Sequence, residues 1–225
     1  MLEIIPGILE KDWSEIERKI ELVRPFAKTI HIDILDRKFA PNTTFLDPLP
    51  FAKYTLPSSG QAFPSSGQAP FFELHMMVEE PIQYLKPFAD AGFKRFLGHI
   101  EKMSDQAEFV AQGQLLGEVG LAIDGPTPLS AIQVPYDDLD CVLVMTIKAG
   151  FSGQVFMPEH LEKVKALRQA QGKQFPIEVD GGINDGIIIQ ARSAGATRFV
   201  STSFLFASQN PHERYQALNS HLKNF

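Results

Sequence analysis

The sequence predicts an α/β fold, a closed (β/α)8 barrel, and three observations carry that expectation. Short apolar runs alternate strictly with amphipathic segments, eight of each, which is the pattern of parallel strands joined by crossover helices. The chain has 225 residues, close to the about 250 of a single such barrel. Four polar residues, His31, Asp33, His75 and Asp180, stand near the C-terminal ends of runs that otherwise want burial, and that end of the barrel is where its active sites are built. The expected organisation is one domain over 1–225 with a flexible insertion at about 57–70.

Taken in order, the strands are expected at 3–8, 28–34, 71–77, 94–99, 118–123, 140–146, 176–180 and 197–201. Each is short and rich in β-branched, aromatic or other apolar residues. Helices are expected at 12–24, 47–54, 81–91, 104–116, 128–133, 158–171, 184–194 and 211–222. Pro81 follows Glu79-Glu80 and opens one helix, and Pro158 followed by Glu159 opens another. Ala91-Gly92 and Ala194-Gly195 close two more and lead directly into strands. One stretch breaks the alternation. Residues 57–63 and 64–70 repeat Pro-Ser-Ser-Gly-Gln-Ala, a composition too poor in apolar groups to pack, so a mobile loop on the non-catalytic face is expected.

Composition narrows the function. A hydrophobic share of 44% is enough for a globular core, and a net charge of −6 leaves no basic footprint for general nucleic-acid binding. An anionic substrate stays open, because local amides or a metal outweigh a global charge. The single cysteine, Cys141, excludes an internal disulfide and reads as strand packing. No run approaches about 18 apolar residues, and the first ten lack a basic segment, so a soluble, cytoplasmic protein without membrane contact is expected.

Side chains alternate along a strand, so His31, Asp33 and Leu35 share one face, as do Glu73, His75 and Met77. A buried carboxylate or imidazole is costly unless it is paired or bound to a cation. Any one of the four, taken alone, is more often a satisfied core residue or part of a turn than a functional group. Together, two His and two Asp make a first set of ligands for one divalent metal, and the two carboxylates are able to move protons. Zn, Fe, Mn and Co all suit such a set.

Glycine-rich strand ends form a second constellation. Gly150, Phe151, Ser152 and Gly153 follow the sixth strand, and Gly181-Gly182 follow the seventh. Glycine lets backbone N–H groups approach an anion, and the loops after the last strands are the usual phosphate site of these barrels. Met77 and Met145 are expected to line the same mouth, a polarizable wall that delivers no stray protons to a carbanionic intermediate.

With these residues in place the chain resembles the ribulose-phosphate 3-epimerases, phosphate-binding (β/α)8 TIM barrels. The resemblance runs through Ile5-Pro-Gly-Ile-Leu9, His31-Ile-Asp-Ile-Leu-Asp36, Phe39-Ala-Pro-Asn42, Leu74-His-Met-Met-Val78 and Ala122-Ile-Asp-Gly-Pro-Thr-Pro-Leu129. It continues through Val142-Leu-Val-Met-Thr146, Gly150-Phe-Ser-Gly-Gln154 and Val179-Asp-Gly-Gly-Ile183. It implies that His31, Asp33, His75 and Asp180 bind one divalent metal and that Asp33 and Asp180 are the acid–base pair. It also implies metal-dependent 3-epimerisation of D-ribulose 5-phosphate to D-xylulose 5-phosphate through an enediolate. The sugar phosphate is the one expected partner, apart from further copies of the chain in a homo-oligomer. A related phosphohexulose 3-epimerase, or a non-catalytic sugar-phosphate-binding barrel, are the alternatives.

The substrate positions implied by the resemblance are Gly7, Leu35, Met77, Met145, Gly150–Gly153, Gly181, Gly182, Thr202 and Ser203. Some depart from the family pattern. Gly7 stands where serine is usual, Leu35 where methionine is usual, and Thr202-Ser203 where Gly-Ser is usual. Asp36-Arg-Lys38 replaces Asp-Gly-His. Thr202 is expected to crowd the approach of an anion with its side chain while its amide still donates.

Overall fold

The computed structural model describes residues 2–55 and 69–223. The Pro-Ser-Ser-Gly-Gln-Ala repeat lies outside these residues, apart from Ala69 and Pro70. Eight parallel strands close into a barrel in sequence order: β1 (Glu3–Ile8), β2 (Thr29–Leu35), β3 (Phe71–Met77), β4 (Arg95–His99), β5 (Glu118–Ile123), β6 (Cys141–Met145), β7 (Ile177–Asp180) and β8 (Arg198–Ser201). The strand β8 returns to pair with β1. The outer helices are α1 (Trp13–Val23), α2 (Ala52–Thr55), α3 (Ile82–Asp90), α4 (Gln106–Gln114), α5 (Leu161–Gln171), α6 (Asp185–Ala194), α7 (Ser203–Phe206) and α8 (Pro211–Lys223).

Local chemistry sets the helix ends. Asn184 accepts hydrogen bonds from the Gly186 and Ile187 N–H groups and starts α6, which stops at Gly195 in a left-handed conformation. Asp105 caps α4 by accepting from the Glu108 N–H. Two expected helices are largely absent. Over 128–133 there is only a 3-10 turn, Leu129–Ala131, and a second, Tyr136–Asp138, follows it. Pro128 enters that stretch in an extended conformation and Pro135 interrupts it, so no α-helix propagates. Over 47–54 a 3-10 turn at Leu49–Phe51 runs into the single turn of α2, because Pro48 and Pro50 remove backbone donors. The short α7 after β8 carries no signal in the sequence; four residues are too few to show a period.

Apolar residues divide into two layers. Between strands and helices, Phe51, Phe72, Phe88 and Phe93 pack ring on ring, with Phe72 and Phe93 centroids 5.2 Å apart and Phe88 and Phe93 5.0 Å apart. Inside the barrel lies a smaller group, including Leu35, Met77, Leu97, Cys141, Leu143 and Met145. Cys141 is a buried free thiol in that packing, as expected, and burial pushes it up to about 12. Among the described residues no helix is long and apolar enough to cross a membrane.

The register then fixes which side chains meet. Asp33 lies opposite His75 and His31 opposite Glu73 in the β2–β3 pair, while Met145 lies opposite Asp180 in the β6–β7 pair. A one-residue slip would turn all of them to the wrong face.

Candidate active site

The four sequence-selected ligands converge at the C-terminal mouth. One potential ligand atom from each of His31, Asp33, His75 and Asp180 lies within 4.8 Å of the others, and all four residues are buried. Asp33 Oδ1 is shared: it lies 2.8 Å from His75 Nδ1 and 3.2 Å from His31 Nε2. His75 Nδ1 is also 3.6 Å from Asp180 Oδ2. Two imidazole nitrogens and two carboxylates facing one point, screened from water, fit a divalent cation by donor chemistry and by proximity. A second buried group, His31, Glu73 and Glu178, lies against the first and shares His31 with it.

Three backbone ties hold these side chains in place. Thr44, in the loop after β2, receives the Leu35 N–H on its hydroxyl at 2.9 Å and donates to the Asp33 carbonyl at 3.0 Å, fixing the strand end that carries Asp33. Thr146, just past β6, places its hydroxyl 3.0 Å from the Asp180 carbonyl and 2.7 Å from the Gly181 carbonyl, while its N–H donates to the Asp180 carbonyl at 2.7 Å. Asn42 donates to the Gly150 carbonyl at 2.8 Å and ties the β2 loop to the β6 loop.

Beneath the ligands runs a buried charge network that sequence reading left without a role. Glu73 Oε1 lies 2.7 Å from His31 Nδ1, and Glu73 Oε2 accepts from Arg95 Nη1 at 2.5 Å. Arg95 also binds Glu118 at 2.7 Å. Occupying Nδ1 in this way leaves His31 Nε2 directed at Asp33, the arrangement by which a carboxylate orients a metal-binding histidine. On the far side, His99 packs its ring against Phe39 and His75 with centroids 4.5 and 5.0 Å away, and its Nδ1 meets Glu101 at 2.8 Å. Glu73 and Glu178 each stand two residues before a ligand and so share its face, which is the sequence signal that could have found them.

The two aspartates are held at different protonation levels. Burial raises the Asp33 carboxyl, but the charge on His31 and hydrogen bonds from His31 and His75 outweigh it and hold it well below the usual carboxylate range. Burial, reinforced by the neighbouring Asp33 charge, pushes Asp180 up to about 7. Burial lowers His31, yet Asp33 outweighs it and raises the imidazole above its ordinary value.

An open cavity lies above this cluster, with Asp33 and Asp180 in its wall. Of the expected substrate positions, Met77, Met145, Gly150, Phe151, Ser152, Gly153, Gly181, Gly182, Thr202 and Ser203 line it. His31 and His75 lie beneath it. Gly7 and Leu35 do not reach the wall. Leu35 is fully buried below Gly150, and the space in front of Gly7 is taken by Thr202. The Thr202 hydroxyl leans toward β1, so the crowding expected of its side chain is directed there. Leu9, Ile147, Ile183 and Val200 also line the cavity, and single apolar residues carry no sequence signal for that place. The backbone turns sharply at Gly181, where φ is +120° and a Cβ would come within 2.5 Å of Ile147 Cγ1. Only glycine fits there, and the bare backbone leaves room for a ligand to approach.

Comparison with known proteins agrees with this geometry. Residues 3–206 match the model of the ribulose-phosphate 3 epimerase family. The ribulose-phosphate 3-epimerase of Candida glabrata is 36% identical, over 93% of this chain and 88% of that one. The ribulose-phosphate 3-epimerase of Schizosaccharomyces pombe is 34% identical, over 97% and 92%. Among solved structures, KGPDC from Streptococcus mutans superposes with a TM-score of 0.72 at 12% identity, over 99% of this chain and 98% of that one, a likeness of fold.

Proposed function

The chain belongs to the ribulose-phosphate 3-epimerase family and is an isomerase; from that premise we propose that it interconverts D-ribulose 5-phosphate and D-xylulose 5-phosphate, with Asp33 and Asp180 as the acid–base pair. The observation that carries the reading is the meeting of His31, Asp33, His75 and Asp180 at the floor of the glycine-walled cavity.

Inverting carbon 3 requires a proton to leave one face and another to arrive on the opposite face. Asp33 enters from β2 and Asp180 from β7, three strands apart around the closed barrel. In the metal-free chain the two carboxyls are not equivalent, Asp33 being held low and Asp180 raised to about 7; inversion needs one of them to accept a proton while the other delivers one, and the reverse reaction exchanges the roles. Met77 and Met145 wall the cavity without acidic protons, so the enediolate is protonated only by the aspartates. His31, Asp33, His75 and Asp180 would hold one divalent cation, Zn, Fe, Mn or Co, which when bound polarises the ketone and acidifies carbon 3. Backbone amides around Gly153, Gly182 and Ser203 suit the phosphoryl group, and the whole chain acts as one barrel domain.

The test is an NMR assay of ribulose 5-phosphate in deuterium oxide with wild type, Asp33→Asn and Asp180→Asn. Wild type is expected to form xylulose 5-phosphate with deuterium at carbon 3. Each Asn variant is expected to lose epimerisation by at least about 100-fold, the lower end of what general acid–base catalysis contributes. Near-wild-type turnover by both variants refutes the two-carboxylate mechanism. Equal use of unphosphorylated ribulose refutes the phosphate site, and preference for a ketohexose 6-phosphate replaces the substrate.

A further inference from the structure

Two of the buried polar atoms without a partner belong to neighbouring rings. His75 Nε2 and His99 Nε2 are both sealed from solvent and make no hydrogen bond. Among the described residues they are the only imidazole nitrogens in that condition. His75 lies opposite Leu97 in the β3–β4 pair, and His99 follows Leu97 by two residues on the same face, one step nearer the mouth. The two ring centroids are 5.0 Å apart, with the planes 31° from parallel. Phe39 also packs on the His99 ring and brings no polar group to it.

Hydrogen-bond chemistry makes the two nitrogens complementary. His99 Nδ1 meets Glu101 Oε2 at 2.8 Å, and an ionised carboxylate only accepts. The His99 proton therefore sits on Nδ1, and Nε2 of the neutral ring is a bare acceptor. Glu101 is itself fixed, because its Oε1 accepts from the Asp124 N–H at 2.7 Å. Asp124 Oδ1 is also buried without a partner, but a carboxylate oxygen has no proton to give His99. His75 turns Nδ1 toward Asp33 at 2.8 Å and Asp180 at 3.6 Å, where the four ligands meet. Ligation through Nδ1 leaves the His75 proton on Nε2, which is then a donor. The other histidine ligand, His31, already has Glu73 on its second nitrogen at 2.7 Å.

We propose that His99 is the positioning residue of His75: its Nε2 accepts the His75 Nε2–H and holds Nδ1 on the cation, as Glu73 does for His31. Rotation of the rings about their Cβ–Cγ bonds closes the link when Nδ1 is drawn into ligation. Neither ring lines the cavity, so His99 acts through His75 and not on the substrate. A neutral imidazole here orients the ligand without a further negative charge beside Asp33 and Asp180; that charge stands one residue farther out, on Glu101. The inference rests on the four-ligand reading above and adds what orients its second histidine.

The experiment titrates Zn²⁺ into wild type, His99→Phe and His99→Gln by calorimetry, and records long-range proton–nitrogen NMR spectra of the histidine rings in Zn²⁺-loaded wild type. His99→Phe keeps a flat ring against Phe39 and His75 but removes the acceptor. Its Zn²⁺ affinity is expected to fall at least about ten-fold, the lower end for loss of an orienting partner. His99→Gln returns a carbonyl acceptor and is expected to bind within about three-fold of wild type. Simple packing would give the opposite order, with Phe the milder change in a buried stack of rings. In the loaded wild type the ring protons are expected on His75 Nε2 and His99 Nδ1. A His99 protonated at Nε2 in that spectrum, or a His99→Phe protein that binds Zn²⁺ as tightly as wild type, overturns the assignment. The spectrum needs no variant, so it decides the matter where His99→Phe fails to fold. A wild type that takes up no Zn²⁺ overturns the four-ligand site and the role of His99 with it, a result distinct from the other two because it appears before any substitution.

Discussion

Glu73→Gln tests whether the charge network under the mouth sets up the ligands above it. Glu73 is fully buried, and its two oxygens are engaged by His31 at 2.7 Å and Arg95 at 2.5 Å. The Gln amide keeps the size but loses the charge that both cations face. Removing one partner of a buried pair costs about 3–5 kcal/mol. Two features place the loss at the lower end. Arg95 keeps Glu118 at 2.7 Å, and Glu178 Oε1 stands 3.5 Å from the same His31 nitrogen. At about 3 kcal/mol a chain of this length loses roughly 6–12 °C in Tm. The same change frees the His31 ring to turn, so affinity for a divalent cation is expected to fall at least about ten-fold. Differential scanning calorimetry of the metal-free protein reads the first effect, and titration with Zn²⁺ or Mn²⁺ reads the second. Adding Glu178→Gln should deepen both losses. A Glu73→Gln protein that melts within about 2 °C of wild type and binds cation equally well would show that Glu73 neither stabilises the buried cations nor orients His31.

The remaining predictions concern pH and two glycines. Burial raises the Glu101 carboxyl, but hydrogen bonds from His99 Nδ1 and the Asp124 N–H hold it at about 2, against 4.5 for a free group. The folded value lies below the unfolded one, so the stabilisation is complete above pH 4.5 and is lost as the pH falls toward 2. Because burial also pushes His99 below its usual range, the gain stands on the two hydrogen bonds and amounts to about 1–2 kcal/mol. Urea unfolding of wild type and Glu101→Gln should differ by that much near pH 6.5 and converge only as the pH falls to about 2, and a gap independent of pH would contradict the assignment. Gly181→Ala must hold a Cβ at φ +120° against Ile147 and is expected to cost at least about 2 kcal/mol. Gly186→Ala, in the first turn of α6 with only Asn184 Oδ1 nearby at 3.7 Å, is expected to add about 0.5–1 kcal/mol, and the reverse order of the two would refute the contact argument.

Sequence reading placed all eight strands to within one residue at each end, because parallel core strands are nearly continuous apolar runs closed by Gly, Pro or charged residues. His31, Asp33, His75 and Asp180 stood out for the same reason: in such runs a polar residue is conspicuous. Glu73 and Glu178 were just as conspicuous, but their partners, Arg95 and His31, come from other strands, and only the register joins them. Thr44 and Thr146 were silent, since they act on carbonyl groups and a threonine in a loop looks like any other. The contact between Gly7 and Thr202 joins the first strand to the last. Each reads alone as a departure from the family, and their fit appears only when the barrel closes.

The barrel also explains why ligands and supports come in pairs along single strands. Side chains on one face recur every second residue, so Glu73 lies one layer below His75, Glu178 one layer below Asp180, and His31 one layer below Asp33. In the lower layer Glu73 and Arg95 set the His31 ring; in the upper layer Asp33 meets His31 through its Nε2 and His75 through its Nδ1. An aliphatic lower layer would pack as well, but it would leave His31 Nδ1 without a buried partner, at a cost of about 1–3 kcal/mol, and would let either nitrogen face the mouth. The buried ions therefore specify an orientation rather than add stability. Replacing Glu73, Arg95 and Glu178 together by Leu, Met and Leu separates the two effects. If orientation is their role, the triple variant keeps a Tm near that of wild type while its cation affinity falls by at least about ten-fold. A variant that melts early yet binds cation as tightly as wild type would mean the network serves the fold and the ligands orient themselves.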